Sequence, residues 1–165
     1  MKTLWPRCVQ GLALVMVAMV AIANESKTLE MHHHSAAASE QKPFGIAGDK
    51  RDVGRTVRLR MIDEMRFVPD KIEVREGETV RFVLTNNGKL LHELVLGTRK
   101  DLEAHASMMR RGESMPHDQS YIAHVAPGQT GEIVWKFNQA GRFDFACLVP
   151  GHFEAGMTGT VIVQR

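Results

Sequence analysis

Apolar and polar residues alternate along most of the chain from residue 55 onward. Val57, Leu59 and Met61 alternate with polar neighbours, a period of two that is typical of a strand with one buried face. Comparable short runs follow, separated by turn-forming residues, and they cover residues 71–75, 79–85, 90–96, 132–137, 142–147 and 158–163. Short strands with this punctuation predict an all-β protein built as a β-sandwich.

Two segments depart from this alternation. Residues 24–54 lack an apolar period and are rich in Ser, Ala, Gly and charged residues, so we expect a flexible N-terminal tail there. Residues 99–124 are too long for a hairpin turn and contain a helix-compatible piece, 101–111, so we expect a partly helical insertion outside the sandwich. The predicted organisation is a tail over 24–54 and one domain over 55–165.

The first 23 residues have the features of a secretory signal peptide. Lys2 and Arg7 precede an uncharged apolar run, residues 11–23, that ends in Ala-Ile-Ala, a small-residue cleavage pattern. A transmembrane anchor is the alternative, but the run of about 13 residues is shorter than the roughly 20 that a spanning helix needs. We therefore predict cleavage after Ala23, export to the periplasm, and no stable membrane anchor afterwards.

Charge and cysteine content narrow the classes of partner. Lys and Arg total 21 and Asp and Glu total 19, and this balance does not indicate a nucleic-acid partner. Cleavage would also remove Cys8 and leave Cys147 as the only cysteine, so the exported chain would form no internal disulfide. In an oxidising compartment a single thiol needs either burial or a metal that holds it as thiolate.

The stretch FACLVPGHFEAGMTG, residues 145–159, combines a thiol, an imidazole and a thioether. Cys147, His152 and Met157 are spaced with four residues between each pair. A Cys-His pair could be a nucleophile with its base, but that base usually lies on a distant segment, and methionine has no part in acyl transfer. Zinc is the other alternative, although structural zinc usually takes two or more cysteines and methionine is a poor ligand for it. The residue types favour copper, for which one thiolate, two imidazoles and a weak axial methionine form a known type of site.

The loop lacks one imidazole of this set, and His92 is the candidate to supply it. Of the eight histidines, His92 is the one inside a predicted core strand. Alone, it would be interpreted as a core histidine bonded to a backbone carbonyl, but a loop that lacks a nitrogen ligand favours a ligand role. Alternation places Cys147 on the face of Phe143 and Phe145, in the core, where burial raises the pKa of a thiol unless a cation is bound.

With these residues the chain resembles the cupredoxins, the family of type 1 copper proteins. The resemblance rests on the Cys147, His152 and Met157 loop, on AGMTGTVIV leading into the last strand, and on VLTNNGKLLHELVL around His92. It implies a Greek-key β-sandwich with one copper held by these four residues, and electron transfer through the more exposed loop histidine. Glu93 stands where plastocyanin-like members often have asparagine, and alternation predicts that its side chain points away from the copper.

The resemblance also bears on activity and partners. Multicopper oxidases and nitrite reductases use similar domains but need further copper sites between domains, so we expect a protein that is not an enzyme. The insertion at 99–124 and the histidine tail are not part of the minimal fold, and together they make the chain resemble most the exported copper-tolerance cupredoxins of the CopI type. A redox partner protein or a copper-handling protein is then the expected partner.

Two further groups of metal-binding side chains fall outside this pattern. His32, His33 and His34 in the tail could bind additional copper, as His-rich tracts do, or could have no specific role. The insertion contributes His105, Met108, Met109, Met115, His117 and His124. They form either a second copper-handling surface or part of a helix that packs Leu102 and Met109 on the sandwich. The alternative function is therefore copper sequestration, or a chaperone role, through these extra sites.

Overall fold

The computed structural model describes residues 40–113 and 119–165. Within these ranges the chain forms two β-sheets, one α-helix and a short 3-10 helix. The strands are β1 (Ile46–Ala47), β2 (Arg55–Ile62), β3 (Arg66–Val68), β4 (Lys71–Arg75), β5 (Thr79–Asn86), β6 (His92–Gly97), β7 (Ile122–Val125), β8 (Thr130–Lys136), β9 (Gly141–Ala146) and β10 (Thr158–Gln164). The α-helix, α1, spans Arg99–Arg110. The predicted signal peptide, the histidines at 32–34, Met115 and His117 lie outside the described residues.

Two five-stranded sheets form a sandwich over the described residues. Their strand orders are β1-β8-β5-β2-β3 and β4-β10-β9-β6-β7. Each sheet contains one parallel pair, β2 with β5 and β4 with β10, among antiparallel ones. The predicted Greek-key β-sandwich is confirmed, and each strand predicted from alternation is present with its ends shifted by at most two residues.

The sandwich encloses an aromatic core. Phe67, Phe82, Trp135, Phe137 and Phe145 are all between 0% and 2% exposed. Burial of such a side chain removes roughly 150–250 Å² from water, which contributes about 4–6 kcal/mol each before the cost of ordering the chain. These rings make a stiff frame for the strand ends that carry the candidate site.

The predicted tail is corrected at its C-terminal part, because the segment before residue 55 packs on the sandwich. Strand β1 pairs antiparallel with β8. Phe44 is buried and stacks on Trp135 with ring centroids 5.2 Å apart, and its carbonyl accepts the Trp135 indole N–H at 2.8 Å. A two-residue strand and one aromatic anchor give no periodic signal, so alternation missed them. Residues 24–39 lie outside the described part of the chain.

Helix α1 covers the outer face of the second sheet. It begins after Thr98, whose hydroxyl oxygen accepts the Asp101 N–H, a typical N-cap. Its buried residues Leu102 and Ala106 pack in a small cluster with Val95, Ala146 and Leu148. The predicted helix is present, but Ala106 rather than Met109 is the second buried residue. No helix of the described residues is long and apolar enough to cross a membrane.

The end of the insertion belongs to the sandwich, which corrects the prediction for residues 122–124. Strand β7 pairs antiparallel with β6 and forms the edge of the second sheet. Its sequence, IAHV, is too short to show a period, so the sequence did not separate it from the insertion. As a result β6 lies inside the sheet, and all six of its residues are buried.

Candidate metal centre

Three neighbouring strands of the second sheet bring the predicted ligands to one end of the sandwich. Strand β6 begins at His92, β9 ends directly before Cys147, and β10 begins directly after Met157. Strand β9 lies between β6 and β10 and is antiparallel to both. The start of β6, the end of β9 and the start of β10 therefore meet at the same edge, although His92 and Cys147 are 55 residues apart.

Three donor atoms converge at this edge. Ligand atoms of His92, Cys147 and His152 all lie within 4.8 Å of one another. The Cys147 Sγ is 3.3 Å from His152 Nδ1 and 4.0 Å from His92 Nδ1. His92 and Cys147 are 0% exposed, and His152 is 9% exposed. One sulfur and two imidazole nitrogens that face each other in a buried space fit copper by their chemistry.

Met157 is held beside Cys147 by backbone pairing. The Cys147 N–H donates to the Met157 carbonyl at 3.0 Å, and the Met157 N–H donates to the His152 carbonyl at 3.0 Å. The Met157 side chain is 0% exposed and lies in the same core cluster as Cys147. The loop therefore closes the β9–β10 hairpin, and the structure brings all four sequence-predicted residues to one end of the molecule.

The thiol is protonated at neutral pH when no metal is bound. Burial raises the pKa of the Cys147 thiol to about 11, against the opposing effect of the backbone N–H groups of Glu93 and Val149. The Glu93 N–H points at the sulfur, with the nitrogen 3.4 Å from Sγ. This confirms the expectation that burial disfavours a free thiolate, so a bound cation must displace the thiol proton.

His152 is suited to ligation at neutral pH. Burial lowers the pKa of its imidazole, and repulsion from His92 adds to the effect. The ring is therefore neutral near pH 7, with a lone pair available on one nitrogen.

Glu93 binds the backbone next to Cys147 from the outer face of the sheet. As alternation predicts, its side chain points away from the candidate centre: Oε2 is 2.8 Å from Nδ1 of His124, directly opposite on β7. Oε1 accepts the N–H of Leu148, the residue after Cys147, at 2.9 Å. Glu93 is 3% exposed. The direction of this side chain could be predicted from alternation, but its partners could not, because β7 was not predicted.

Asp63, in the turn between β2 and β3, was missed by the sequence analysis. Its carboxylate accepts the Lys89 N–H at 2.8 Å and the Leu90 N–H at 3.3 Å, and lies 3.1 Å from His92 Nε2. These bonds, that of Lys89 first, lower the pKa of the carboxyl group. Asp63 and His92 are 29 residues apart on different sheets, so no motif spacing joins them.

A β-sandwich that gathers a buried thiol, two imidazoles and a thioether at one end defines the class of the cupredoxins. The chain belongs to the plastocyanin/azurin family of copper binding proteins, whose family model matches residues 56–164. Copper is accordingly its cofactor.

Individual relatives agree with this membership. A copper-resistant cuproprotein CopI of Rubrivivax gelatinosus is 52% identical over 133 residues, which is 81% of each chain. A protein of the same name from Pseudomonas aeruginosa is 35% identical over 158 residues, 78% of this chain and 87% of that one. Auracyanin A, a "blue" copper protein of Chloroflexus aurantiacus, superimposes with a TM-score of 0.56 at 27% identity, over 67% of this chain and 100% of that one. The predicted similarity to CopI-type cupredoxins is confirmed.

Proposed function

We propose that this cupredoxin is exported to the periplasm and holds one copper ion with His92, Cys147, His152 and Met157. It carries single electrons in support of copper tolerance and is not an enzyme. The observation that carries this proposal is the buried convergence of three donor atoms within 4.8 Å. Bound copper supplies a one-electron change between Cu(II) and Cu(I), and the names of the CopI relatives support the link to copper resistance.

The protein contributes rigidity to this exchange. Cu(I) and Cu(II) prefer different geometries, so donors fixed by the frame reduce the rearrangement that accompanies each electron. Cys147 is held by the Glu93 N–H and by its backbone bond to Met157. His92 is held at Nε2 by Asp63. Cys147 and His92 are therefore both held in place by hydrogen bonds to neighbouring segments of the fold.

The surface next to the candidate centre suits brief contact with a redox partner. His152 retains 9% exposure, whereas His92 and Cys147 retain none. Leu90 and Leu91, directly before His92, are 45% and 48% exposed. Apolar side chains exposed beside a partly exposed ligand favour a docking face. We therefore expect electrons to pass at His152.

Electron self-exchange between the Cu(I) and Cu(II) forms tests this face without a known partner. Leu91→Glu should slow exchange, measured by NMR line broadening, because two negatively charged faces repel, while the visible spectrum stays unchanged. An undiminished rate would contradict the docking face. A changed spectrum would show instead that Leu91 affects the copper centre directly.

The visible spectrum of the copper-loaded protein tests the ligand set. We expect an intense thiolate-to-copper band that disappears in Cys147→Ser and is lost or strongly altered in His92→Ala. His105→Ala, a histidine change on helix α1, is the matched control and should leave the band intact. A band that survives Cys147→Ser would refute the proposed centre.

The proposed methionine ligand has its own test. Met157→Leu keeps a buried apolar side chain, so the protein should fold. The loss of the thioether should raise the reduction potential, because an additional ligand stabilises Cu(II) more than Cu(I). Met108→Leu, in helix α1, should leave the potential unchanged. Equal potentials in the two variants would remove Met157 from the ligand set.

Copper sequestration is the second candidate function, and the resistance names of the relatives favour it as well. It assigns extra copper to His32, His33 and His34. Deletion of residues 30–36 should then lower growth at toxic copper while leaving the visible band intact. Unchanged growth would contradict a role of the tail in copper tolerance.

Mass spectrometry of the periplasmic protein tests export, and we expect a mature chain that begins at Asn24.

A further inference from the structure

The Asp63 carboxylate organises the segment that leads into His92. It accepts two successive backbone N–H groups, those of Lys89 and Leu90, and lies 3.1 Å from His92 Nε2. All three groups belong to one short stretch that enters β6, whereas Asp63 belongs to the turn after β2 in the other sheet. A single side chain therefore ties the two sheets together at the candidate centre.

The backbone opposite Asp63 is shaped for this contact. A Cβ built on Gly88 would lie 1.9 Å from Asp63 Oδ1 and 2.7 Å from its Cγ, so any larger residue would displace the carboxylate. On the other side of the same stretch, Asn86 accepts the Gly88 N–H at 2.9 Å and donates to the Leu90 carbonyl at 2.8 Å. The stretch is fixed from both sides, which leaves His92 little freedom to turn.

The bond to His92 also decides which ring nitrogen is free. An ionised carboxylate only accepts hydrogen bonds, so Nε2 must carry the proton that it shares with Asp63. Nδ1 then keeps its lone pair, and it is Nδ1 that lies 4.0 Å from Cys147 Sγ. A carboxylate behind a metal-binding histidine orients the ring and makes the ligating nitrogen more basic.

We propose that Asp63 is a positioning residue of the copper centre: it holds His92 as the Nε2–H tautomer with Nδ1 toward the ion, and its charge favours Cu(II) over Cu(I). The proposal rests on the ligand role of His92 put forward above. It adds a residue from the opposite sheet that makes no contact with the ion itself.

Metal-free protein provides the first test, by ¹⁵N NMR of the histidine rings. In the native chain we expect His92 as a single Nε2–H tautomer, and in Asp63→Ala a mixture with the Nδ1–H form. Glu64→Gln is the matched control, since it removes the same charge from an exposed residue of the same turn and should leave the tautomer unchanged. Retention of the single Nε2–H form in Asp63→Ala overturns the proposal.

Copper binding provides the second test. Asp63→Ala should lose about 10–100-fold in copper affinity relative to Glu64→Gln, the range typical for loss of such a supporting bond. Asp63→Asn keeps an acceptor oxygen but not the charge, so its ratio of Cu(II) to Cu(I) affinity should fall several-fold and its reduction potential should rise. If Asp63→Ala does not fold, Asp63→Asn decides: a ratio equal to that of Glu64→Gln overturns the proposal. If His92 is not a ligand, the visible band of His92→Ala should be unaltered. The His92 tautomer of the metal-free protein would still test the role of Asp63 in that case.

Discussion

Copper binding to this protein should depend steeply on pH, because Cys147, the proposed thiolate ligand, must lose a proton that burial stabilises. The pKa of the Cys147 thiol is raised to about 11, about four units above neutral. At 1.36 kcal/mol per unit, deprotonation at pH 7 costs about 5 kcal/mol of the free energy of coordination. The pKa of His152 is lowered, so this ring is already neutral and adds no proton in the same window.

The expected result is an apparent Cu(I) affinity that rises about tenfold per pH unit between pH 7 and pH 10, with one proton released per ion. The assay is competition with a chromophoric Cu(I) chelator across this range, corrected for protonation of the chelator, together with a pH-stat titration. Cys147→Ser is the control, and its affinity should be low and nearly independent of pH. A flat profile in the native protein would refute the reasoning, since it would mean that the thiolate exists before the metal arrives.

Three further outcomes follow from the same contacts. For the metal-free protein, the folded-state pKa of Cys147 is raised from 9.0 to about 11, so the stability that the neutral thiol provides is present below pH 9 and lost as pH rises toward 11. The full loss is about 3 kcal/mol at 1.36 kcal/mol per unit, of which about 2 kcal/mol is reached at pH 10.5. Urea unfolding at pH 8 and pH 10.5 should show this decrease in the free energy of unfolding, and Cys147→Ala should lack it. Glu93→Ala should lower the free energy of unfolding by about 1–3 kcal/mol because it leaves the buried Leu148 N–H without its acceptor. Glu93→Gln retains an acceptor and should lower it by less in the same assay. Equal decreases in the two variants would contradict the proposed role of the Glu93 carboxylate as this acceptor. A Cβ on Gly159 would lie 2.1 Å from Phe145 Cζ, so Gly159→Ala should destabilise by about 1–3 kcal/mol through overpacking, while Gly54→Ala, whose nearest neighbour is 4.0 Å away, should be nearly neutral.

The strands that alternate buried and exposed residues could be predicted from sequence because only one of their faces is buried. In β4, for example, Ile72 and Val74 are buried between exposed charged neighbours, so the period of two is visible in the residues themselves. Strands β1, β3 and β7 have two to four residues each, which is too few for a period. They lie at sheet edges, where pairing with a longer strand stabilises them rather than their own pattern.

The candidate ligands could be predicted because their chemistry is unusual, whereas their supports could not. The residue types and the spacing within one loop indicate a metal site at Cys147, His152 and Met157. Asp63 and Glu93 are ordinary carboxylates in the sequence, and their roles depend on which N–H groups the fold brings to them. Such contacts join separate strands or sheets and become visible only when the strand order is known.

The ligand set is divided between a short loop and a distant strand, and this division affects the order of assembly in time. Three of the four candidate donors lie within residues 147–157, so the unfolded chain already carries most of the candidate site. The fourth, His92, is 55 residues from Cys147 and arrives only when β6 pairs with β9. Copper captured early would bind the unfolded chain as well as the folded one, and the ion would stabilise the fold by less than its total affinity suggests. The copper affinity gained on folding would then come mainly from His92 and from the frame that holds it. The pairing of β6 with β9 would be the step at which the four candidate donors form a rigid copper centre.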